Sequence, residues 1–292
     1  MSGPRTPLLI DCDTGIDDAL ALLYVCASPE AETVGVSCVA GNVELPDVVR
    51  NTLAVLELAG RGDLEVASGQ EAPIARPLRT ADDTHGPTGL GYAQLPVPTA
   101  GPARRDAAQQ IIDHARARPG EITLVTLGPL SNVAVALERE PTLPQLLQRL
   151  VMMVGSYRVP VNTAPTMEWN AGVDPEALQA TITGWAATDA PHPLAFGLDV
   201  TERARMTPEH LARLAEAAGG PDDPLVRFVE DALRFYFEFH SRYDGFYGAF
   251  IHDALVVAAA LDPTLARTEA LTVQVELEGR WTTGETVTDW RR

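Results

Sequence analysis

The stretch Leu8-Leu9-Ile10-Asp11-Cys12-Asp13-Thr14-Gly15-Ile16-Asp17-Asp18-Ala19-Leu20-Ala21-Leu22-Leu23-Tyr24-Val25 decides the fold. Leu8 to Ile10 is a short apolar run of the kind that becomes a buried strand, and Ala19 to Val25 suits a buried helix. A polar turn separates them and holds four carboxylates within eight residues. The same order recurs along the chain. Strands are predicted at residues 33–40, 64–67, 122–127, 150–154 and 194–198. Helices are predicted at 45–59, where Val48, Val49, Leu53 and Leu56 keep helical spacing, and at 105–118, 130–138 and 175–182. Strands alternating with helices need crossover connections, so the fold class is α/β: a mostly parallel, open, Rossmann-like central sheet flanked by helices on both faces.

Two stretches break the alternation. Residues 70–103 carry six prolines and little periodicity, which marks a functional or mobile loop. After Gly219-Gly220-Pro221 comes an aromatic-rich run through Phe228, Phe235, Tyr236, Phe237 and Phe239. It reads as an added helical segment near the C-terminus, flanking the ligand side of the sheet. No repeat appears at solenoid or propeller periods, and the organisation expected is a single α/β domain over residues 1–292.

Composition narrows the partners. The formal net charge is −18 over 292 residues, so nucleic acid and anionic membrane surfaces, which need a basic footprint, are disfavoured. All 22 basic residues are arginine. Chemistry that requires a lysine, such as a P-loop, a pyridoxal aldimine or a Ser–Lys pair, is excluded. Cys12, Cys26 and Cys38 are odd in number and read as small buried thiols rather than a disulfide framework. A charged motif is reached by Asp11, which leaves no room for a signal peptide, and the longest apolar runs (19–27 and 254–261) are too short to span a bilayer. A cytoplasmic protein is expected.

The chemistry concentrates in three places. Asp11, Asp13, Asp17 and Asp18 fall at the carboxyl end of the first strand and the start of the next helix, where open α/β sheets bind ligands. Helix capping explains one or two of them. Four converging carboxylates repel unless a cation or proton intervenes, and an all-oxygen donor set selects a hard divalent ion such as calcium or magnesium. Because adjacent helical residues diverge by about 100°, Asp17 and Asp18 are expected to face different points. His252-Asp253 opens an apolar helix and gains meaning only if it meets that cluster. Glu168-Trp169-Asn170, with Asn162 before it and Asp174 after it, suits a polyhydroxylated ligand such as a sugar; a solvated loop is the bland alternative.

Taken together, Asp11 to Ala19 resembles the signature of the nucleoside hydrolases, the inosine–uridine-preferring N-ribohydrolase family. The likeness continues in order through Gly41-Asn42, His85-Gly86, Leu127-Gly128-Pro129-Leu130-Ser131-Asn132, Glu168-Trp169-Asn170, Asp174-Pro175-Glu176-Ala177 and His252-Asp253. Thr14 replaces the usual proline, Leu127 stands where some members have threonine, Trp169 stands where phenylalanine is frequent, and residues 284–292 look like a late strand that members commonly extend.

The resemblance implies calcium-dependent hydrolysis of the N-glycosidic bond of ribonucleosides. Asp13, Asp18 and Asp253 would ligate Ca2+ with the main-chain carbonyl of Leu127, and Asp11 would support them. Asp13 would also be the base that deprotonates a metal-bound water, with Asn42 helping to position it. Asp17, Asn162, Glu168 and Asn170 would hold the ribose, with Trp169 beside them. His252 would be the acid for the departing base, working near neutrality, and His85 would line the pocket. Direct attack by water implies inversion at the anomeric centre. Base preference would rest on residues 70–103 and 228–247, and His240 there reads equally as a base contact or a core residue. A homo-oligomer, dimer or tetramer, is implied by the likeness alone.

Two other readings stay open. Asp11-Cys12-Asp13-Thr14 after a strand also looks like the opening motif of haloacid-dehalogenase-type phosphatases, a metal-dependent phosphohydrolase reading that leaves Asp17, Asp18 and the later motifs unexplained. A non-catalytic nucleoside- or ribose-binding relative would keep the sugar contacts and lose the base or the acid, yet Asp13 and His252 are both present.

Overall fold

A computed structural model describes residues 5–161 and 163–291. In chain order the elements begin β1 (Thr6–Cys12), α1 (Ile16–Ala27), β2 (Ala31–Cys38), α2 (Leu45–Leu58) and β3 (Val66–Ser68). A short α3 (Asp82–His85) interrupts the proline-rich loop, and α4 (Ala107–Ala117), β4 (Thr123–Thr126), α5 (Ser131–Arg139), α6 (Leu143–Leu146) and β5 (Arg149–Met153) follow. Next come α7 (Trp169–Val173), α8 (Pro175–Ala186), β6 (Leu194–Phe196), α9 (Leu198–Thr201), β7 (Arg205–Met206) and α10 (Pro208–Ala217). The chain closes with α11 (Pro224–Tyr243), β8 (Ala249–Phe250), α12 (His252–Leu261), β9 (Val273–Val275) and β10 (Thr286–Thr288).

The six main strands lie in the order β3-β2-β1-β4-β5-β6, and every neighbouring pair is parallel. Side chains alternate along β1. Leu8, Ile10 and Cys12 enter the core shared with α1, α2, α11 and α12, while Leu9 enters the opposite core with α4, α5 and α8. Both faces are therefore covered, as a parallel sheet requires. The strand order reverses direction between β1 and β4, and ligands of open sheets bind beyond the strand ends at such a point.

The aromatic run forms the 20-residue α11, begun by Asp223, whose side chain accepts the Leu225 and Val226 N–H groups. It packs on α1, α3 and α10 and buries Phe228, Val229, Leu233, Tyr236 and Phe237. Residues 284–292 contain β10, which pairs with β9 in an antiparallel hairpin. The loop over 70–103 is tied down at several points. The Ile74 N–H donates to Asp174 at 2.9 Å, Arg76 pairs with Glu176, and the Ala81 N–H donates to the Asn42 carbonyl at 2.8 Å. Among the described residues no helix is long and apolar enough to cross a membrane.

Candidate active site

At the β1/β4 switch point the Leu127 N–H donates to the Asp11 carbonyl at 2.7 Å, continuing the ladder one residue past β4. There the chain turns from β1 into α1 through Asp13, Thr14 and Gly15. Helix α12 packs along α1 so that the two N-termini meet, and Asp253 arrives against Asp17 and Asp18. One carboxylate oxygen from each of these three residues lies within 4.8 Å of the others.

This corrects the expectation that Asp17 and Asp18 face different points. In the first turn of a helix the N–H groups are open, and Asp18 folds back over that end. It accepts the Gly15 N–H at 2.9 Å and the Asp13 N–H at 3.2 Å. Asp17 instead leans across to accept the His252 backbone N–H.

Asp13 is wholly buried. Its Oδ2 accepts the Asn42 N–H at 2.8 Å, and its Oδ1 has no partner. Asn42 also donates from Nδ2 to Asp18 Oδ2 at 3.1 Å, so one residue braces both carboxylates. Glycine is required on either side of Asp13: a Cβ at Gly41 would stand 2.1 Å from Oδ2, and one at Gly128 would stand 2.8 Å from Oδ1. Asp11 sits behind. Its Oδ1 accepts from the Ser37 hydroxyl and from Asn132 Nδ2, and its Oδ2 is unpartnered.

Burial raises every one of these acids. Asp11 is pushed to about 6, and Asp17 to about 8 with help from the Asp18 charge. Asp13 and Asp253 are also held well above the usual carboxylate range, again by burial first and neighbouring carboxylates second, and burial raises Asp18 against the hydrogen bonds it accepts. Among the described residues no arginine or histidine forms an ion pair with any of the five. Buried, uncompensated carboxylates are costly. An all-oxygen donor set with orphaned oxygens on Asp11 and Asp13 fits a hard divalent cation.

Histidines and aromatics line one flank. His85 caps α1: its Nδ1 accepts the Ile16 N–H at 3.1 Å, so its proton is on Nε2. His252 Nδ1 lies 2.8 Å from the Thr201 hydroxyl. Burial pushes both rings down to about 3, with the neighbouring histidines adding to it. His252 is thus a neutral imidazole at pH 7, not a group titrating near neutrality. Tyr236 stands between His85 and His240, with ring centroids 5.5 and 4.7 Å away. Burial, then the Asp17 and Asp253 charges, hold its hydroxyl well above the usual tyrosine range.

The sugar-type cluster is placed differently from its simplest reading. Glu168 caps α7: Oε1 accepts the Asn170 N–H, and Oε2 accepts those of Gly155 and Ala171. Asn170 Nδ2 donates to the Leu127 carbonyl at 2.6 Å and the Met153 carbonyl at 3.0 Å. Asn170 therefore fixes the carbonyl assigned above to the metal. The Glu168 charge is felt at Asp253, which keeps α7 beside the cluster. Trp169 is half-buried with Nε1 unpartnered, and the Arg79 guanidinium lies 5.8 Å from its ring centroid. Asn162 lies outside the described residues.

Sequence reasoning missed Ser37, Asn132 and Thr201 as supports of Asp11 and His252. A hydroxyl or amide on a separate strand or helix gives no local signal. The Tyr236–His240 pair was findable, because an i, i+4 spacing puts both on one face of α11.

Three comparisons bear on this geometry. The family model described as inosine-uridine preferring nucleoside hydrolase matches residues 8–292. The chain is 38% identical over 285 residues to the pyrimidine-specific ribonucleoside hydrolase RihA of Enterobacter sp. (strain 638), covering 97% of this chain and 88% of that one. It is 32% identical over 278 residues to uridine nucleosidase 1 of Arabidopsis thaliana, covering 95% and 80%. Among solved structures, the purine-preferring ribonucleoside hydrolase from Gardnerella vaginalis superposes with a TM-score of 0.90 at 29% identity, over 98% of this chain and 89% of that one.

Proposed function

The chain belongs to the inosine–uridine preferring nucleoside hydrolase family of N-glycosyl hydrolases, and from that premise we propose that it is a calcium-dependent ribonucleoside hydrolase that releases free base and ribose. The observation that carries the proposal is the meeting of Asp17, Asp18 and Asp253 within 4.8 Å, beside a buried Asp13 with one free oxygen and no protein cation to balance them.

Asp13, Asp18 and Asp253 with the Leu127 carbonyl would hold the cation, and the close approach of Asp17 to Asp18 and Asp253 makes it either a fifth ligand or the ribose contact. When bound, such an ion lowers the pKa of a water and orients sugar hydroxyls. Asp13 accepts the proton of the attacking water at Oδ1, the oxygen that Asn42 leaves unoccupied. Glycosidic cleavage builds positive charge on the ribose ring, and the surrounding carboxylates favour it, as in glycosidases generally. His85 and His252 would face the departing base, and His85, a neutral ring with its proton on Nε2, would offer it a hydrogen bond.

Reducing-sugar release from inosine, uridine, cytidine, adenosine and guanosine tests this directly. Ribose released with calcium, lost on chelation and restored by calcium is the expected result. Phosphate released from phosphomonoesters with no ribose produced would overturn it.

A further inference from the structure

The late strand β10 stands outside the main sheet, and the hydrolysis assigns it no task. It forms an antiparallel hairpin with β9, Thr286 opposite Val275, and the Val275 N–H donates to Gln179 of α8 at 2.8 Å. A two-stranded hairpin is marginal by itself, so what it rests on matters. Thr286 is buried. Its Oγ1 accepts the Ser156 N–H at 3.1 Å and donates to the Ser156 carbonyl at 2.8 Å. Ser156 lies beyond the end of β5, where both backbone groups have left the strand ladder and need other partners. Thr286 serves both from one hydroxyl. Four residues on, Trp290 Nε1 donates to the Tyr157 carbonyl at 3.2 Å, and the Arg158 guanidinium lies 3.3 Å from the Trp290 ring centroid.

The same hairpin grips the other end of that segment. The Trp281 carbonyl, between β9 and β10, accepts the Thr166 hydroxyl at 3.0 Å. Gly284, at φ +84°, lies so close to α7 that a Cβ would stand 2.9 Å from Gly172 Cα and 3.2 Å from Met167 Cβ. Residues 155–172 are therefore held at both ends, and between those ends lie Glu168, Trp169 and Asn170. From Ser156 a short chain of contacts leads inward. Its neighbour Gly155 donates its N–H to Glu168 Oε2 at 2.8 Å, and Glu168 Oε1 accepts the Asn170 N–H at 2.8 Å. Asn170 Nδ2 then donates to the Leu127 carbonyl at 2.6 Å. Asp13 is braced from elsewhere, by the Asn42 N–H, and lies off this chain.

We propose that the β9–β10 hairpin clamps the sugar-side segment, and that Thr286 is a positioning residue for the hydrolysis. Acting through Ser156, Glu168 and Asn170, it aims the Leu127 carbonyl at the calcium ion and keeps the Glu168–Asn170 corner against the ribose. Groups that orient a metal's ligands change its affinity without touching it. Because Asp13 is braced separately, a loosened clamp weakens calcium and nucleoside binding more than it slows the bound complex. The proposal rests on the nucleoside-hydrolase reading of the site.

The test uses the full chain. Thr286→Val keeps the shape and removes both hydrogen bonds, and Thr286→Ser keeps the hydroxyl. Val287→Thr is the control, since Val287 is half exposed on the opposite face of β10. The readouts are calcium titrated into chelator-treated protein by calorimetry, and kcat and KM for ribose release at saturating calcium. In Thr286→Val the calcium dissociation constant and KM each rise about tenfold, while kcat falls by less than about threefold. Both constants return toward wild type in Thr286→Ser, and Val287→Thr matches wild type. A Thr286→Val protein that melts lower yet binds calcium and nucleoside as wild type does overturns the proposal, and so does a loss that Thr286→Ser fails to restore. Should Thr286→Val fail to fold, Trp290→Phe keeps a ring over Arg158 and drops the N–H to Tyr157. It carries the same test, with a shift of about threefold in the same constants. Wild type that releases no ribose from any nucleoside sinks the hydrolase reading; an unmoved calcium constant in the variants sinks the clamp.

Discussion

The Asn42 backbone N–H donates to Asp13 Oδ2 at 2.8 Å, and the other oxygen of that buried carboxylate is left with no partner. One oxygen is spent on holding the side chain still, and the other is free to take a proton. An unpaired charge in a buried site is a cost that structure alone does not repay. The proposed role of Asp13 as ligand and base accounts for it.

Asp13→Asn separates the two effects. Loss of the base is expected to lower kcat by roughly 10²–10⁴-fold. The calcium-free variant is expected to melt at or above the wild-type temperature, since a repelled carboxylate becomes a neutral amide of the same shape. Ribose release and thermal melts measure both. A calcium-free variant that melts well below wild type would show that the Asp13 charge stabilises the fold.

Calcium should stabilise the protein as well as activate it. Ligand at about 100 times its dissociation constant adds about 2.7 kcal/mol. A melt with calcium therefore runs several degrees above one with chelator in wild type, and the gap closes in Asp253→Asn. Equal melting temperatures in wild type with and without calcium would remove the cation from the site.

Gly41→Ala places a Cβ 2.1 Å from Asp13 Oδ2. Either Asp13 or the β2–α2 turn must shift, and overpacking of this kind costs about 1–3 kcal/mol. Denaturant midpoints report the stability loss, and kcat should fall with it if the displaced group acts as the proposed base. Wild-type kcat in this variant would mean that Asp13 need not hold this position.

His85 makes stability depend on pH. Its folded value, about 3, lies below the ordinary histidine value of 6.5. The unfolded chain therefore binds more protons between these limits, so His85 contributes its stability above 6.5 and loses it as pH falls toward 3. The change in urea midpoint from pH 5 to pH 7 should be more positive in wild type than in His85→Asn, which keeps an acceptor for the Ile16 N–H. His240 and His252, also held low by burial, act with the same sign, and the raised carboxylates of the site act with the opposite sign, in wild type and variant alike. An unchanged difference would mean that His85 is protonated without penalty.

Much of this molecule was legible in one dimension. The alternation of apolar runs predicted each strand of the parallel sheet, and residues 8–10 sit at its centre in β1. Asp174, read from the sequence as part of a polar cluster, caps α8 instead, its side chain accepting the Ala177 N–H. Less was legible around 200–220. The two-residue strands β7 and β8 pair with each other across more than 40 residues, and α10, an amphipathic helix with no buried residue, was not anticipated. Such elements owe their existence to neighbours rather than to local pattern.

The residues of the acidic turn, their place between a strand and a helix, and the absence of lysine were all decided by the sequence. Periodicity and side-chain chemistry are local properties, readable without coordinates. What only the tertiary structure decided is which carboxylates meet. Asp253 is more than 230 residues from Asp17, and packing of α12 on α1 brings their helix ends together. That packing turned Asp17 and Asp18 toward one point despite their helical divergence, and tertiary contacts elsewhere committed Glu168 and Asn170 to the backbone and left His240 Nε2 without a partner. Convergence depends on where helix ends fall in space, and sequence spacing carries no measure of that.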